Sequence, residues 1–226
     1  MIERVRVIGS GRVGSAVSAR LRERGLAVGA DDPELVVLCV PDGAIAEVAR
    51  GVAAGPWVAH VSGATPLRAL DPHARRFSVH PLQTFTTSRK GPEQLAMQFD
   101  GAWAAITGEG EEALATATWL AETLGLRPFE LADGDRTLYH AGAVFASNYI
   151  VTLQRAAARL VATAGVPAEA LVPLMLRTIE NDFELTGQIS RGDWAVVEAH
   201  KAAIRAAQPE LERLYETLAE STVMLA

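Results

Sequence analysis

The sequence has only one cysteine, Cys39, among its 226 residues. A single thiol cannot form an intramolecular disulfide, and it cannot build a zinc site that needs several cysteine ligands. The sequence therefore predicts neither a disulfide nor a metal site, and its cysteine content suits a reducing cytoplasm.

The sequence also lacks long apolar runs and an excess of basic residues. No stretch reaches the roughly 18 apolar residues that a membrane-spanning helix requires, and residues 1–8 lack the pattern of a secretory signal. The 21 Lys and Arg residues are outnumbered by 27 Asp and Glu, which gives a net charge of −6. We therefore expect a cytoplasmic protein without a membrane or nucleic-acid partner.

What is present is an α/β region followed by an all-helical region. Up to residue 132, short apolar runs alternate with helical periodicity, which is typical of a mostly parallel sheet of Rossmann type. Strands are predicted at residues 4–8, 35–40, 57–61, 77–79, 103–107 and 126–131. Helices are predicted at residues 44–53, 111–124, 137–164 and 168–185, and from residues 193 and 209 onward. The predicted domains are residues 1–132 and 133–226, and the apolar faces of the helical domain favour a homodimer.

A glycine motif lies between the first predicted strand and an amphipathic helix. It has the spacing G-x-G-x-x-G and consists of Gly9, Ser10, Gly11, Arg12, Val13 and Gly14. In this context the three glycines allow a tight turn, the approach of a diphosphate to the backbone, and close packing of helix on strand. The motif predicts a Rossmann-type fold and an anion-binding helix start, although the same glycines could serve only to shape the turn.

The segment after this first helix is unusually short. Only residues 25–34 separate it from the strand at residues 35–40, so residues 26–30 can form an abbreviated strand at most. Asp31 and Asp32 lie about 20 residues after the motif, where a carboxylate that binds the ribose is expected. There they would favour NAD over NADP. Alternatively, Asp31 and Asp32 could simply belong to a polar turn.

Polar residues follow two further strands. Ser62 ends the strand at residues 57–61, and His80 and Gln83 follow the strand at residues 77–79, which places them at the carboxyl edge of the sheet. His80 could exchange a proton with a substrate, with Gln83 orienting it, or it could be a structural histidine. Ser62 could lie beside a nicotinamide or simply belong to a loop.

Other candidate residues lie in the helical region. His140 and Ser147 are seven residues apart and share a helix face, with Asn148 beside them. They could line an active site, or they could be hydrogen-bonded groups in a dimer interface. Arg191 could bind a carboxylate or phosphate, and Asp193 is predicted to cap a helix.

Several of these segments, in this order, resemble one family. The Rossmann-like oxidoreductases with a helical C-terminal domain of unknown function, in the 6-phosphogluconate dehydrogenase-like superfamily, have similar motifs. The similar segments are residues 9–14, Val40-Pro41-Asp42, Ser62-Gly63-Ala64, His80-Pro81-Leu82-Gln83-Thr84-Phe85, residues 138–148 and residues 185–193. The resemblance covers almost the whole chain. The sequence departs from the family pattern in two places. The second strand and its helix are almost absent, and Gln188 stands where the family usually has proline.

The resemblance implies NAD(P)-dependent reduction of a small carbonyl or imine by a dimer whose helical domains pack together. The expected cofactor-binding residues are residues 9–14 with Val40, Pro41 and Ser62. For catalysis we expect His140 as proton donor and Asn148 orienting the substrate, with Ser147 and His80 nearby. The short second strand also permits two other hypotheses. One is a non-catalytic or regulatory dimer with reduced dinucleotide binding, and the other is a binder of mononucleotides or other phosphates.

Overall fold

The computed structural model describes residues 2–86 and 91–225. The chain divides into two compact units, Met1–Phe145 and Ala146–Ala226. Each unit is described by itself below.

The first unit is built on a seven-stranded sheet with the order β2-β1-β3-β4-β5-β6-β7. The strands are β1 (Arg4–Ile8), β2 (Ala27–Val28), β3 (Leu35–Leu38), β4 (Trp57–His60), β5 (Arg76–Pro81), β6 (Trp103–Gly108) and β7 (Arg127–Glu130). All neighbouring strands are parallel except β5 and β6, which are antiparallel. The predicted mostly parallel sheet is therefore confirmed.

Helices cover both faces of this sheet. They are α1 (Arg12–Glu23), α2 (Ile45–Arg50), α3 (Pro92–Ala96), α4 (Glu111–Leu124) and α5 (Arg136–Val144). The larger core joins α1, α3 and α4 to one face, and a smaller core joins α2 to the other. Leu35 to Leu38 are all fully buried, as expected for a strand covered on both sides. The short α3 has no counterpart among the predicted helices.

The second strand is as abbreviated as the sequence predicts. Ala27 pairs with Arg4 and Val28 with Val5, so β2 ends beside the second residue of β1, three residues before Ile8. The sequence of β1 alternates accordingly: Val5 is buried, whereas Arg6 is exposed. Alternation of this kind indicates a strand with one uncovered face.

The first unit extends beyond the predicted boundary at residue 132 and includes α5. The physical reason is Arg136, whose side chain is 1% exposed and donates hydrogen bonds to Ser78 on β5 and Thr107 on β6. These bonds fasten the start of α5 to the sheet, a link that helical periodicity does not indicate.

The second unit is helical. A π-helical turn, Phe145–Tyr149, precedes α6 (Ile150–Thr163), α7 (Val172–Glu180), α8 (Trp194–Ala207) and α9 (Glu212–Val223). The helix predicted at residues 168–185 ends early, because Asp182 and Phe183 have φ angles of 53° and 59°, which an α-helix cannot accommodate. Among the described residues, no helix is long and apolar enough to span a membrane.

Candidate functional site

The motifs of the first unit converge on one edge of the sheet. Because β1, β3, β4 and β5 run parallel, the segments that follow them lie at the same carboxyl edge. This edge carries residues 9–14, residues 39–42, residues 62–65 and His80. Ligands of open α/β folds bind at this edge.

The three glycines of the motif have different surroundings. A Cβ on Gly9 would lie 2.2 Å from the carbonyl oxygen of Cys39, and one on Gly14 would lie 1.9 Å from the carbonyl oxygen of Gly9. A Cβ on Gly11 would meet no atom within 4 Å. Gly11 is also the N-cap of α1, and no side chain of the described residues caps this helix start. Gly9 and Gly14 are therefore required for packing, whereas the backbone at Gly11 is open to a ligand.

The other motif residues contribute to local structure. The backbone oxygen of Ser10 accepts a hydrogen bond from the Ser15 hydroxyl, and Val13 packs against the larger core. Arg12 Nη1 donates to the backbone oxygen of Phe85 over 2.8 Å, which ties the start of α1 to the segment after β5.

The residues after β3 frame the glycine motif. Val40 is half-buried against the smaller core, and exposed Pro41 accepts a backbone hydrogen bond from Ala44. Cys39 lies against Gly14, and burial raises the pKa of its thiol to about 12. The thiol is therefore protonated near neutral pH.

The loop after β4 is fixed by its own hydrogen bonds. The Ser62 hydroxyl donates to Thr65 Oγ1 over 2.8 Å and accepts from the Thr65 N–H over 3.1 Å. The backbone N–H of Ser62 donates to Nδ1 of buried His60. This loop is therefore held close to the sheet, with Gly63 buried at its tip.

Two histidines meet at Gly63. The rings of His80 and His140 have centroids 5.8 Å apart in an edge-to-face arrangement. A Cβ on Gly63 would lie 2.6 Å from His140 Cδ2 and 2.8 Å from His80 Nε2, so only glycine fits between them. The structure thus brings His80 together with His140, two residues that are 60 positions apart in the sequence.

Tyr139 completes this cluster, although sequence reasoning did not select it. Its hydroxyl lies 2.8 Å from Nδ1 of His80. Burial, together with the nearby His140 and Arg136, lowers the pKa of His80 to about 4, and burial raises the pKa of Tyr139 to about 12. Both groups are therefore uncharged near neutral pH. The only sequence signal was the position of Tyr139 next to His140.

The buried guanidinium of Arg136 lies near this cluster and was also not predicted from the sequence. His60, Ser78 and Thr107 are neighbours in register across β4, β5 and β6, and Arg136 bonds Ser78, Thr107 and the backbone oxygen of Ser62. Burial lowers the pKa of Arg136, but a guanidinium remains charged. No local pattern marks this residue, because its acceptors come from two strands and from the loop after β4.

Other predicted residues are elsewhere or have other partners. Gln83 does not orient His80, because its amide nitrogen donates to the Gln98 backbone and its oxygen accepts from the Thr84 N–H. Asp32 forms an ion pair with Arg4, at the opposite end of β1 from the glycine motif, with an oxygen–nitrogen distance of 3.4 Å. β2 ends at Val28, and Asp31 and Asp32 form a bend, which agrees with the alternative of a polar turn; their role at a ribose stays a prediction.

The remaining candidates belong to the second unit. Ser147 donates to Asn148 Oδ1 over 3.1 Å, and both lie in the π-helical turn, which interrupts the regular period used to place them on the face of His140. Asp193 is at the N-cap of α8 but makes no side-chain capping bond, and Arg191 is exposed. The predicted roles of Ser147 and Asn148 in catalysis stay predictions.

Solved structures with this fold come from several organisms. A Bacteroides fragilis protein, described as a putative NADP oxidoreductase, has 23% identity and a TM-score of 0.80, with 97% of each chain covered. A Thermotoga maritima protein has 23% identity and a TM-score of 0.72, covering 96% of this chain and 99% of its own. A reductive aminase from Aspergillus terreus, in complex with NADPH and ethyl-5-oxohexanoate, has 17% identity and a TM-score of 0.69. The alignment covers 100% of this chain and 95% of the aminase chain.

Sequence comparison gives the family. No curated protein has a significantly similar sequence. The model of a domain of unknown function, DUF2520, matches residues 102–222, which is more than half of the chain. Together with the fold, this match confirms the predicted Rossmann-like architecture with a helical C-terminal domain of unknown function. The chain belongs to the DUF2520 family.

Proposed function

We propose that this protein is an NAD(P)H-dependent oxidoreductase that reduces a small carbonyl or imine compound. The observation that carries the proposal is the carboxyl edge of the sheet, where the open helix start at Gly11 and the histidine pair at Gly63 occur together. The NADPH complex of the Aspergillus terreus reductive aminase and the description of the Bacteroides fragilis protein support it.

The glycine motif fits the diphosphate of a dinucleotide. The first turn of α1 has backbone N–H groups without an intrahelical partner, and within residues 2–86 and 91–225 no side chain caps them. The partial positive charge of a helix N-terminus adds to their attraction for an anion. Gly11 leaves space for the ligand to approach, whereas Gly9 and Gly14 are closed by backbone.

The histidine cluster supplies the proton for the reduction. A bound reduced nicotinamide supplies a hydride with its two electrons to the substrate carbon, so the substrate oxygen or nitrogen must gain one proton. His140 donates this proton and regains it from water. We assign the Tyr139 hydroxyl as the donor to Nδ1 of neutral His80, which leaves the proton on Nε2, the nitrogen that faces Gly63. His80 can then hydrogen-bond the substrate without a change of charge.

A second candidate is a regulatory protein that keeps the fold without catalysis. The observation that favours it is β2, which has only two residues and ends well before the carboxyl edge. The ordinary platform for the adenosine of a dinucleotide is therefore missing on that side of β1.

Titration distinguishes the two candidates. The full-length protein is titrated with NADPH and NADH, with tryptophan fluorescence as the readout, and compared with Gly11→Val. We expect binding that Gly11→Val abolishes, because the new side chain fills the space above the helix start. The absence of binding to the wild-type protein would rule out the oxidoreductase and favour the second candidate.

Turnover then tests the role of His140. Ketones, 2-oxo acids and cyclic imines are screened by NADPH consumption, and an active substrate is used to compare His140→Ala with His200→Ala in the second unit. His140→Ala should retain NADPH binding and reduce kcat by about 100-fold, within the usual range for loss of a general acid. Unchanged turnover would exclude His140 as the proton donor.

The proposed assembly is a homodimer formed through the helices of the second unit. Large apolar side chains on and after α7 are exposed, including Leu174 at 64% and Phe183 at 66%. Exposed apolar surface of this kind marks an interface. A second copy of the chain is the occupant we expect, because most soluble oligomers are symmetric homo-oligomers.

A further inference from the structure

The uncovered face of β1 forms the floor of a groove. The groove has a volume of about 640 Å³ and is lined by Arg4, Arg6 and Ile8 of β1, by Val36 of β3, and by Val48 at α2. It exists because residues 29–34, which connect β2 to β3, are too few to form a helix across this face. Volumes of this size are typical of small-molecule sites.

The groove begins at the glycine motif. Ile8 at its upper end directly precedes Gly9, and Arg4 lies at the lower end, about 13 Å away along the strand. A dinucleotide whose diphosphate lies at Gly11 therefore has an adjoining slot for its adenosine half, with apolar side chains at Ile8, Val36 and Val48 and charged side chains at Arg4 and Arg6. This slot lies on the face of β1 rather than beyond the end of β2.

The charged groups of the groove differ in their partners. Arg4 bonds the backbone oxygen of Asp32 over 3.0 Å and forms ion pairs with the carboxylates of Asp32 and Glu34. Arg6 is exposed, and among the described residues its guanidinium has neither a hydrogen bond nor an ion pair. Asp31 is exposed in the bend next to Asp32, at the end of the groove near Arg4. Arg6 is therefore an unpaired guanidinium between the motif and the acidic residues.

We infer that this groove binds the adenosine half of the cofactor and that Arg6 binds the 2′-phosphate, so that the protein prefers NADP(H) to NAD(H). The inference rests on the proposed function and adds its cofactor specificity. A guanidinium presents a planar fork of donors that matches phosphate oxygens in a bidentate manner. The preference is opposite to the one predicted from Asp31 and Asp32, which lie in a bend where Asp32 is paired with Arg4.

The test compares Arg6→Gln with a matched control, Arg50→Gln. Arg50 is an exposed arginine in the last turn of α2 that does not line the groove, so its substitution removes the same charge nearby. Calorimetric titrations of the full-length variants use NADPH, NADH and the fragments 2′,5′-ADP and 5′-ADP. We expect Arg6→Gln to weaken NADPH and 2′,5′-ADP by at least about tenfold and to leave NADH and 5′-ADP within about twofold, whereas Arg50→Gln resembles wild type.

The other outcomes overturn the inference in distinguishable ways. Equal weakening of NADPH and NADH by Arg6→Gln would place Arg6 away from the 2′-phosphate. A wild-type protein that binds NADH as tightly as NADPH would exclude the specificity while leaving the oxidoreductase intact. Failure of the wild-type protein to bind any of the four ligands would overturn the proposed function together with this inference.

Discussion

At the residue scale, Arg136 connects the fold to the chemistry of the site. Its guanidinium is buried and bonds neutral acceptors, namely Ser78, Thr107 and the backbone oxygen of Ser62. A buried positive charge opposes the protonation of nearby groups. It contributes to the lowered pKa values of both His60 and His80. The residue that fastens α5 to the sheet therefore also helps to keep His60 and His80 neutral.

The lowered pKa of His60 makes the stability of the protein depend on pH. Burial, with the charges of Arg136 and His80, lowers its pKa from 6.5 to about 3. Above pH 6.5 both the folded and the unfolded states are neutral at this residue, whereas below pH 6.5 only the unfolded state binds the proton. We expect the free energy of unfolding to fall as the pH drops from 6.5 towards 3, with a slope of up to ~1.4 kcal/mol per pH unit from this group.

Urea unfolding at a series of pH values measures this slope. His80 contributes a second proton with the same sign, because its pKa is lowered to about 4. His60→Gln should therefore reduce the slope between pH 6.5 and 4 without removing it, and His200→Gln, at an exposed position, should leave it unchanged. A His60→Gln slope equal to that of wild type would contradict a neutral, buried His60.

The candidate site could be predicted only where its residues stand in recognisable local patterns. His80 was identified because it follows a strand, and His140 because it shares a predicted helix face with Ser147. Tyr139, His60 and Arg136 were not identified. Their partners depend on strand register and on the placement of α5, and neither is encoded in the residues next to them.

At the element scale, the glycines at the start of α1 have two different roles: Gly14 is required for packing, whereas Gly11 leaves space for a ligand. Gly14→Ala puts a methyl group 1.9 Å from the Gly9 carbonyl oxygen, on a backbone that cannot move aside without shifting the turn. We expect this change to lower the free energy of unfolding by about 3 kcal/mol or more. Gly11→Ala adds a methyl group in open space, at a φ of −69°, and should cost less than about 1 kcal/mol.

Denaturant unfolding of both variants, with nucleotide titration of Gly11→Ala, checks this distinction. Gly11→Ala should fold normally and bind NADPH more weakly, because its methyl group projects into the ligand space. Equal destabilisation by the two substitutions would show that the motif is purely structural. That result would support the regulatory candidate.

Elements with a strong local pattern were predicted well. The helix predicted at residues 111–124 agrees with α4, and the alternating sequence of β1 fits its uncovered face. The end of α7 was missed because left-handed conformations at Asp182 and Phe183 are carried by residues that do not usually adopt them. The short α3 was missed because five residues are too few to show a helical period.

At the scale of the whole molecule, the two units differ in how they bury apolar residues. The first unit has two cores of fully buried side chains on the faces of its sheet. In the second unit, Val197, Ile204 and Ala219 are the buried hydrophobic residues among those that the structure describes. Three such residues are a small core for four helices, since a domain gains most of its stability from apolar burial.

A homodimer would bury the apolar residues that the second unit leaves exposed, and α7 is the place to test it. Leu174 and Ile179 are 64% and 52% exposed on this helix, so glutamates at both positions put charge into the proposed interface without disturbing a core within the unit. We expect sedimentation velocity to show a dimer for the wild-type protein and a monomer for the double variant Leu174→Glu, Ile179→Glu. Met97→Glu, a matched change at a 67% exposed residue of the first unit, should remain dimeric. A monomeric wild-type protein at micromolar concentration, or a double variant that stays dimeric, would place the interface elsewhere or exclude it.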